Sequence, residues 1–105
     1  MKTKLAYVLV STEKDFYLEQ AYVSMLSAKH HNPEATITLI VDRSTSESFE
    51  GFRKQEADVA NEIVVVDLDR DFSAKKRSRI LKTNLRNYIT GDFLFIDCDT
   101  IVVKP

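Results

Sequence analysis

Four short apolar runs constrain this chain more than any other feature: residues 5–10, 36–41, 63–66 and 93–96 carry no charged side chain. Each is continuous rather than alternating, the pattern of a strand covered on both faces. The second run is rich in β-branched residues, which suit an extended backbone. Long polar stretches with helical periodicity separate the runs. In the first, Leu18, Tyr22, Met25 and Leu26 recur at three- and four-residue spacing, and His30-His31-Asn32-Pro33 ends the helix, because a residue preceding proline is pushed out of the helical region. In the second, Ser44, Thr45 or Ser46 caps a helix with Phe49, Phe52 and Val59 as its apolar positions, and Gly51 weakens it by about 1 kcal/mol relative to Ala. In the third, Ser73 is the cap, Leu81, Leu85 and Tyr88 share a side, and Gly91 is the stop.

The resulting order is βαβαβαβ with short connections. It predicts an α/β fold, a Rossmann-like parallel sheet with helices on both faces. With 105 residues the chain fits one domain. Ligands of such sheets bind beyond the carboxyl ends of the strands, so the loops after Val10, Val41 and Ile96 are where chemistry is expected. A formal net charge of -1 provides no overall basic field for nucleic acid. Cys98 is the single cysteine, so there is no disulfide framework and no cysteine-based zinc site. The apolar run behind the basic Met1-Lys2-Thr3-Lys4 is too short for a signal-peptide core, and no stretch reaches membrane-spanning length. The expected location is cytoplasmic, including the inner face of a membrane as a peripheral protein.

Asp97-Cys98-Asp99 closes the fourth run and carries the strongest chemical signal. In an extended segment residues i and i+2 share a face, which would send both carboxylates into the crevice and Cys98 the other way. Paired carboxylates with open coordination positions suit Mg²⁺ or Mn²⁺ shared with substrate phosphates. A second such pair, Asp67-Leu68-Asp69, precedes Arg70 and Asp71 and reads as a structural, self-paired loop. The third helix supplies the opposite charge: Lys75, Lys76, Arg77, Arg79, Lys82 and Arg86 occur with no acid among them. Arg79, Lys82 and Arg86 fall on one face. Arg79 and Lys82 adjoin the apolar stripe and are the candidate phosphate ligands, whereas Lys75, Lys76 and Arg77 read as a solvated face. His30 and His31 read as a solvent-exposed pair at a helix C-terminus, and the tyrosines as core or rim residues. No Gly-x-Gly-x-x-Gly, P-loop or nucleophile-elbow pattern occurs.

The segment from Gly91 to Val102 resembles the Asp-x-Asp segment of GT-A-fold glycosyltransferases, especially family-8-like enzymes. The resemblance extends over the whole chain: Val10-Ser11-Thr12 where such enzymes contact the nucleoside, Val41-Asp42-Arg43-Ser44-Thr45 where an Asp contacts base or ribose, and Arg79 and Lys82 near the donor phosphates. It implies a site that binds a nucleotide-diphosphate sugar, most simply a UDP-sugar, through Val10, Ser11, Thr12, Asp42, Arg79, Lys82, Asp97, Cys98 and Asp99. Asp97 and Asp99 would hold Mn²⁺ or Mg²⁺. The sugar would pass to a glycan or a lipid-linked acceptor. The family continues well beyond this motif, so the sequence is expected to be the donor-binding half, truncated after Asp-x-Asp, with no nucleophile or general base assignable. Two other readings are open at this point. One is a phosphatase of the haloacid-dehalogenase type; the other is a non-catalytic α/β interaction module, which would self-associate through the surface left by the missing half.

Overall fold

The computed structural model describes residues 3–98; Asp99 and the residues after it lie outside the described part. Eight elements follow one another: β1 (Lys4–Leu9), α1 (Tyr17–His31), β2 (Thr36–Asp42), α2 (Arg43–Glu47), α3 (Phe52–Ala57), β3 (Glu62–Val66), α4 (Ala74–Thr83) and β4 (Leu94–Phe95), with a 3-10 turn at Leu85–Asn87. All pairings are parallel, and the strand order is β3-β2-β1-β4. The chain is α/β with a Rossmann-like sheet. Leu5, Tyr7 and Leu9 face one side with Ile37, Leu39 and Val41, under α1 and α3, whereas Ala6, Val8 and Ile40 face the other, under Leu81 of α4. Helices covering both faces explain why the strand residues are continuously apolar.

The connections run outward from β1 to β3 along the sheet, then α4 carries the chain back to the far side of β1. The reversal lies between β1 and β4. In open parallel sheets that is where a crevice forms at the carboxyl ends, because adjacent loops diverge to opposite faces.

Five expectations about elements are corrected. The second helix is two helices: Gly51 adopts φ +59 and ψ -128 immediately before α3, a region essentially reserved for glycine, so it breaks the helix rather than weakening it. The cap of α2 is Asp42, whose carboxylate accepts from the Thr45 N–H, and not Ser44, Thr45 or Ser46. On α1 the buried stripe is Leu18, Ala21, Ser24, Met25 and Ala28, while Leu26 is exposed. Small residues let α1 lie close on the sheet, near enough for the buried Tyr7 hydroxyl to hydrogen-bond Ser24 at 2.8 Å. The fourth strand is not buried. It is a two-residue edge strand, with Leu94 59% and Phe95 38% exposed. Ser73 caps α4 as expected, accepting from Lys76 N–H at 3.1 Å. Gly91 does not end that helix: it lies beyond the 3-10 turn, with φ +78, in the bend that leads into β4.

Candidate functional site

An open cleft of about 780 Å³ lies at the carboxyl ends of β1 and β4, at the reversal point of the sheet. Val8, Leu9 and Val10 form its floor, Asp97 and Cys98 its β4 side, Tyr17 and Gln20 of α1 one wall, and Lys75, Ser78, Arg79 and Lys82 of α4 the other. The sequence candidates Val10, Arg79, Lys82, Asp97 and Cys98 are therefore brought together. Asp99 lies outside the described residues. The extended geometry assumed for the acidic pair stops short of it, because β4 ends at Phe95 and Cys98 is in a turn. Nor does Cys98 point away from the crevice: it lines the cleft while packing against the α1-side core, its thiol donating to the Val8 carbonyl at 3.1 Å.

Asp97 is exposed and belongs to the cleft that three cations of α4 also line. Lys75, Arg79 and Lys82 are spaced i, i+4 and i+7, one face of the helix. None of the three forms an ion pair with a described residue. Lys82 reaches across to β4, its ammonium 6.0 Å from the Phe95 ring centroid. Lys75 was not among the sequence candidates, although its spacing to Arg79 and Lys82 was visible. Tyr17, 54% exposed, presents an aromatic ring to the cleft and was placed only as a core or rim residue.

Ser11, Thr12 and Asp42 lie beside the cleft and do not line it. They belong to a polar network under the strand ends. Asp42, 2% exposed, uses both carboxylate oxygens: Oδ1 accepts from the Thr45 N–H and hydroxyl, and Oδ2 from Arg77 Nη1. Arg77 is accordingly half-buried rather than a solvated cation, and its Nε donates to the Phe72 carbonyl at 3.2 Å. Thr45 Oγ1 accepts from Ser11 N–H at 2.9 Å. Ser11 Oγ accepts from Arg53 at 3.2 Å and donates to Asp15 Oδ1 at 2.7 Å. Asp15 also accepts from Thr12 N–H at 2.8 Å and Tyr17 N–H at 3.0 Å, closing the entry to α1. Burial pushes the Asp15 carboxyl up, but the donations from Ser11, Thr12 and Tyr17 outweigh it and hold it below the ordinary carboxylate value.

No protein-family model matches this sequence, and no curated protein matches it either.

The rival pair, Asp67 and Asp69, is engaged as a structural loop would be. Asp67 accepts from Arg43 Nε at 2.9 Å, which draws its carboxyl down, while Asp69 accepts from Asp71 N–H at 2.9 Å. The partner of Arg70 is Glu47, at 2.7 Å, so this loop is tied to α2 as well as to itself. His30 and His31 end α1 with their rings edge to face, 5.0 Å apart. Among the described residues no group of three or more His, Cys, Asp or Glu side chains could hold a metal, and no helix is long and apolar enough to cross a membrane.

Proposed function

We infer that this chain is the donor-binding part of a glycosyltransferase, taking a nucleotide-diphosphate sugar into the cleft between β1 and β4. The observation that carries the reading is the pairing of an exposed carboxylate, Asp97, with the cationic row Lys75, Arg79 and Lys82 in one cleft at the sheet's reversal point. A diphosphate is the ligand such a cleft suits. Its oxygens match guanidinium and ammonium donors, and a cation between it and Asp97 removes the repulsion between the two anions.

Mn²⁺ or Mg²⁺ is the expected metal. Asp97 is a hard oxygen donor with solvent access, and these ions take one or two protein carboxylates together with phosphate oxygens and water. Asp99 is the second candidate ligand. When bound, the metal would neutralise charge on the departing diphosphate. Arg79, Lys82 and Lys75 would share that charge, and Tyr17 and Val10 would pack against the nucleoside. The floor of the cleft is apolar. UDP-sugars are the donors to test first, with a glycan or lipid-linked molecule as the acceptor, at the cytoplasmic side of the cell.

Calorimetric titration with a UDP-sugar in Mn²⁺ tests the reading. Binding is expected in Mn²⁺ and strongly reduced by EDTA. Asp97→Ala and Asp99→Ala are each expected to weaken the metal-dependent part at least about tenfold, the loss of one charged ligand contact being worth about 1.5–3 kcal/mol. Metal-dependent binding that survives both substitutions would remove the assignment. The exposed apolar edge formed by Leu94 and Phe95 favours a second reading, an interaction module that self-associates along β4. Sedimentation separates the two: a monomer that binds UDP-sugar contradicts the module, and a concentration-dependent oligomer without ligand binding contradicts the transferase.

A further inference from the structure

The cleft has two walls, α1 and α4, which pack on opposite faces of β1. α1 contributes Tyr17 and α4 contributes Arg79 and Lys82. Beyond that packing, a polar chain beneath the floor also joins the walls. Arg77, two residues before Arg79, is bonded to Asp42 at the end of β2; Asp42 is bonded to Thr45, and Thr45 to the Ser11 N–H at the end of β1. The Ser11 hydroxyl then donates to Asp15 at 2.7 Å, and Asp15 takes the Tyr17 N–H at 3.0 Å. The chain thus begins on one wall and ends on the other, passing under the ends of the two central strands.

Its members are not incidental surface contacts. Asp42, Thr45 and Ser11 are 2%, 0% and 3% exposed. A buried ion pair is a poor source of stability compared with apolar packing of the same volume, and breaking one partner is costly. A network satisfied this fully rigidifies what it connects. The middle link is singular: the Thr45 hydroxyl donates to Asp42 while accepting from Ser11, so both halves of the chain meet at one oxygen.

We propose that the Arg77–Asp42–Thr45–Ser11–Asp15 chain is a frame that holds the α1 and α4 walls of the cleft in register, making Thr45, Asp42 and Arg77 positioning residues for a ligand they do not touch. The frame is a property of the fold. Its consequence for affinity rests on the donor-binding reading above, which places the ligand between those walls. Thr45→Val keeps the shape of the side chain and deletes the joining oxygen; Thr45→Ser keeps the oxygen. Ligand contacts are expected to weaken because displacement of binding groups by about 1 Å is enough to cost large factors in rate or affinity.

The test uses the full chain with Cys98→Ser, spin-labelled at Val23→Cys on the outer side of α1 and Lys76→Cys on α4, both exposed positions. Pulsed electron resonance reads the distance between α1 and α4, and calorimetry reads UDP with Mn²⁺ on the unlabelled chain. Thr45→Val is expected to broaden or shift the distance distribution and to weaken UDP at least about tenfold; Thr45→Ser is expected to restore both. A Thr45→Val distribution as narrow as the parent's, at the same mean, overturns the frame whatever happens to UDP. Unchanged UDP affinity beside a broadened distribution overturns the positioning role. A parent chain that binds no UDP in Mn²⁺, with the distance result as expected, overturns donor binding and leaves the frame standing. Should Thr45→Val fail to fold, Ser11→Ala cuts the neighbouring link at its hydroxyl and is read by the same distances.

Discussion

Asp15 is a loop residue in the sequence and a hub in the structure. Its position after Ser11-Thr12-Glu13-Lys14 marks a break between strand and helix, but nothing in that string says that one carboxylate will collect the Ser11 hydroxyl and the Thr12 and Tyr17 N–H groups. The sign of its effect on stability follows from its lowered pKa. The folded state releases the Asp15 proton more readily than the unfolded chain, whose carboxyl titrates near 3.9. The stabilisation is therefore complete above about pH 4 and is lost as pH falls through the lower folded value. Asp15→Asn should lower the urea midpoint at pH 7 and lose its difference from the parent as the medium becomes strongly acidic; a difference that persists at the lowest pH contradicts the assignment. Glu56 has the opposite sign: burial first, then the charge of Glu19, raise its carboxyl against the pull of Arg53. It therefore withdraws stability as pH rises through its folded value, and the two residues bend the acid limb of the stability curve in opposite directions.

The first three strand positions were legible because a continuous apolar run is well accommodated in a sheet covered on both faces, whereas the fourth run yields only the exposed two-residue strand Leu94–Phe95. Helix details were less legible where tertiary geometry decides among acceptable local patterns. Leu26 fits the helical spacing as well as Ala28 does, but α1 approaches the sheet closely through Ala21, Ser24 and Ala28, and this turns Leu26 to the outside. Between β2 and β3 the local pattern misleads for a different reason. Helix propensity makes Gly51 only a weak helical residue, whereas its backbone takes φ +59 and ψ -128 to separate α2 from α3. No atom lies within 4 Å of where its Cβ would be, so the requirement is conformational and not steric crowding. Gly51→Ala should accordingly cost about 2 kcal/mol, in the range for a non-glycine residue forced into such a region. Thermal or urea unfolding checks this. A neutral substitution would mean that the α2–α3 break can adopt another backbone path.

At the scale of the whole molecule, charge is segregated. The chain is nearly neutral at -1, yet α4 and the turn after it carry cations without acids. Among the described residues only Arg77 of these forms an ion pair, with Asp42. The sequence revealed the cationic stretch and the acid at the strand end. The strand order was not legible, and it is the order β3-β2-β1-β4 that brings Arg79 and Lys82 to the same cleft as Asp97. The same topology distinguishes the cations: Lys75, Arg79 and Lys82 line the cleft, while Lys76 stacks its ammonium 3.9 Å from the Phe72 ring centroid and is not among the cleft residues. If the row binds phosphate, metal-free UDP affinity should fall as salt rises, because the Debye length shortens from about 10 Å at 0.1 M to about 3 Å at 1 M. Replacing Arg79 and Lys82 together by Ala should weaken UDP by about a hundredfold or more, two charge-assisted hydrogen bonds being removed, and should flatten the salt dependence. Lys76→Ala, on the same helix but outside the cleft, should change neither. Calorimetry over a salt series reads both quantities on each variant. A double variant that keeps the parent's salt dependence would mean that the field felt by the ligand does not come from this wall; equal losses in Lys76→Ala would mean that helix charge in general, rather than placement in the cleft, governs binding.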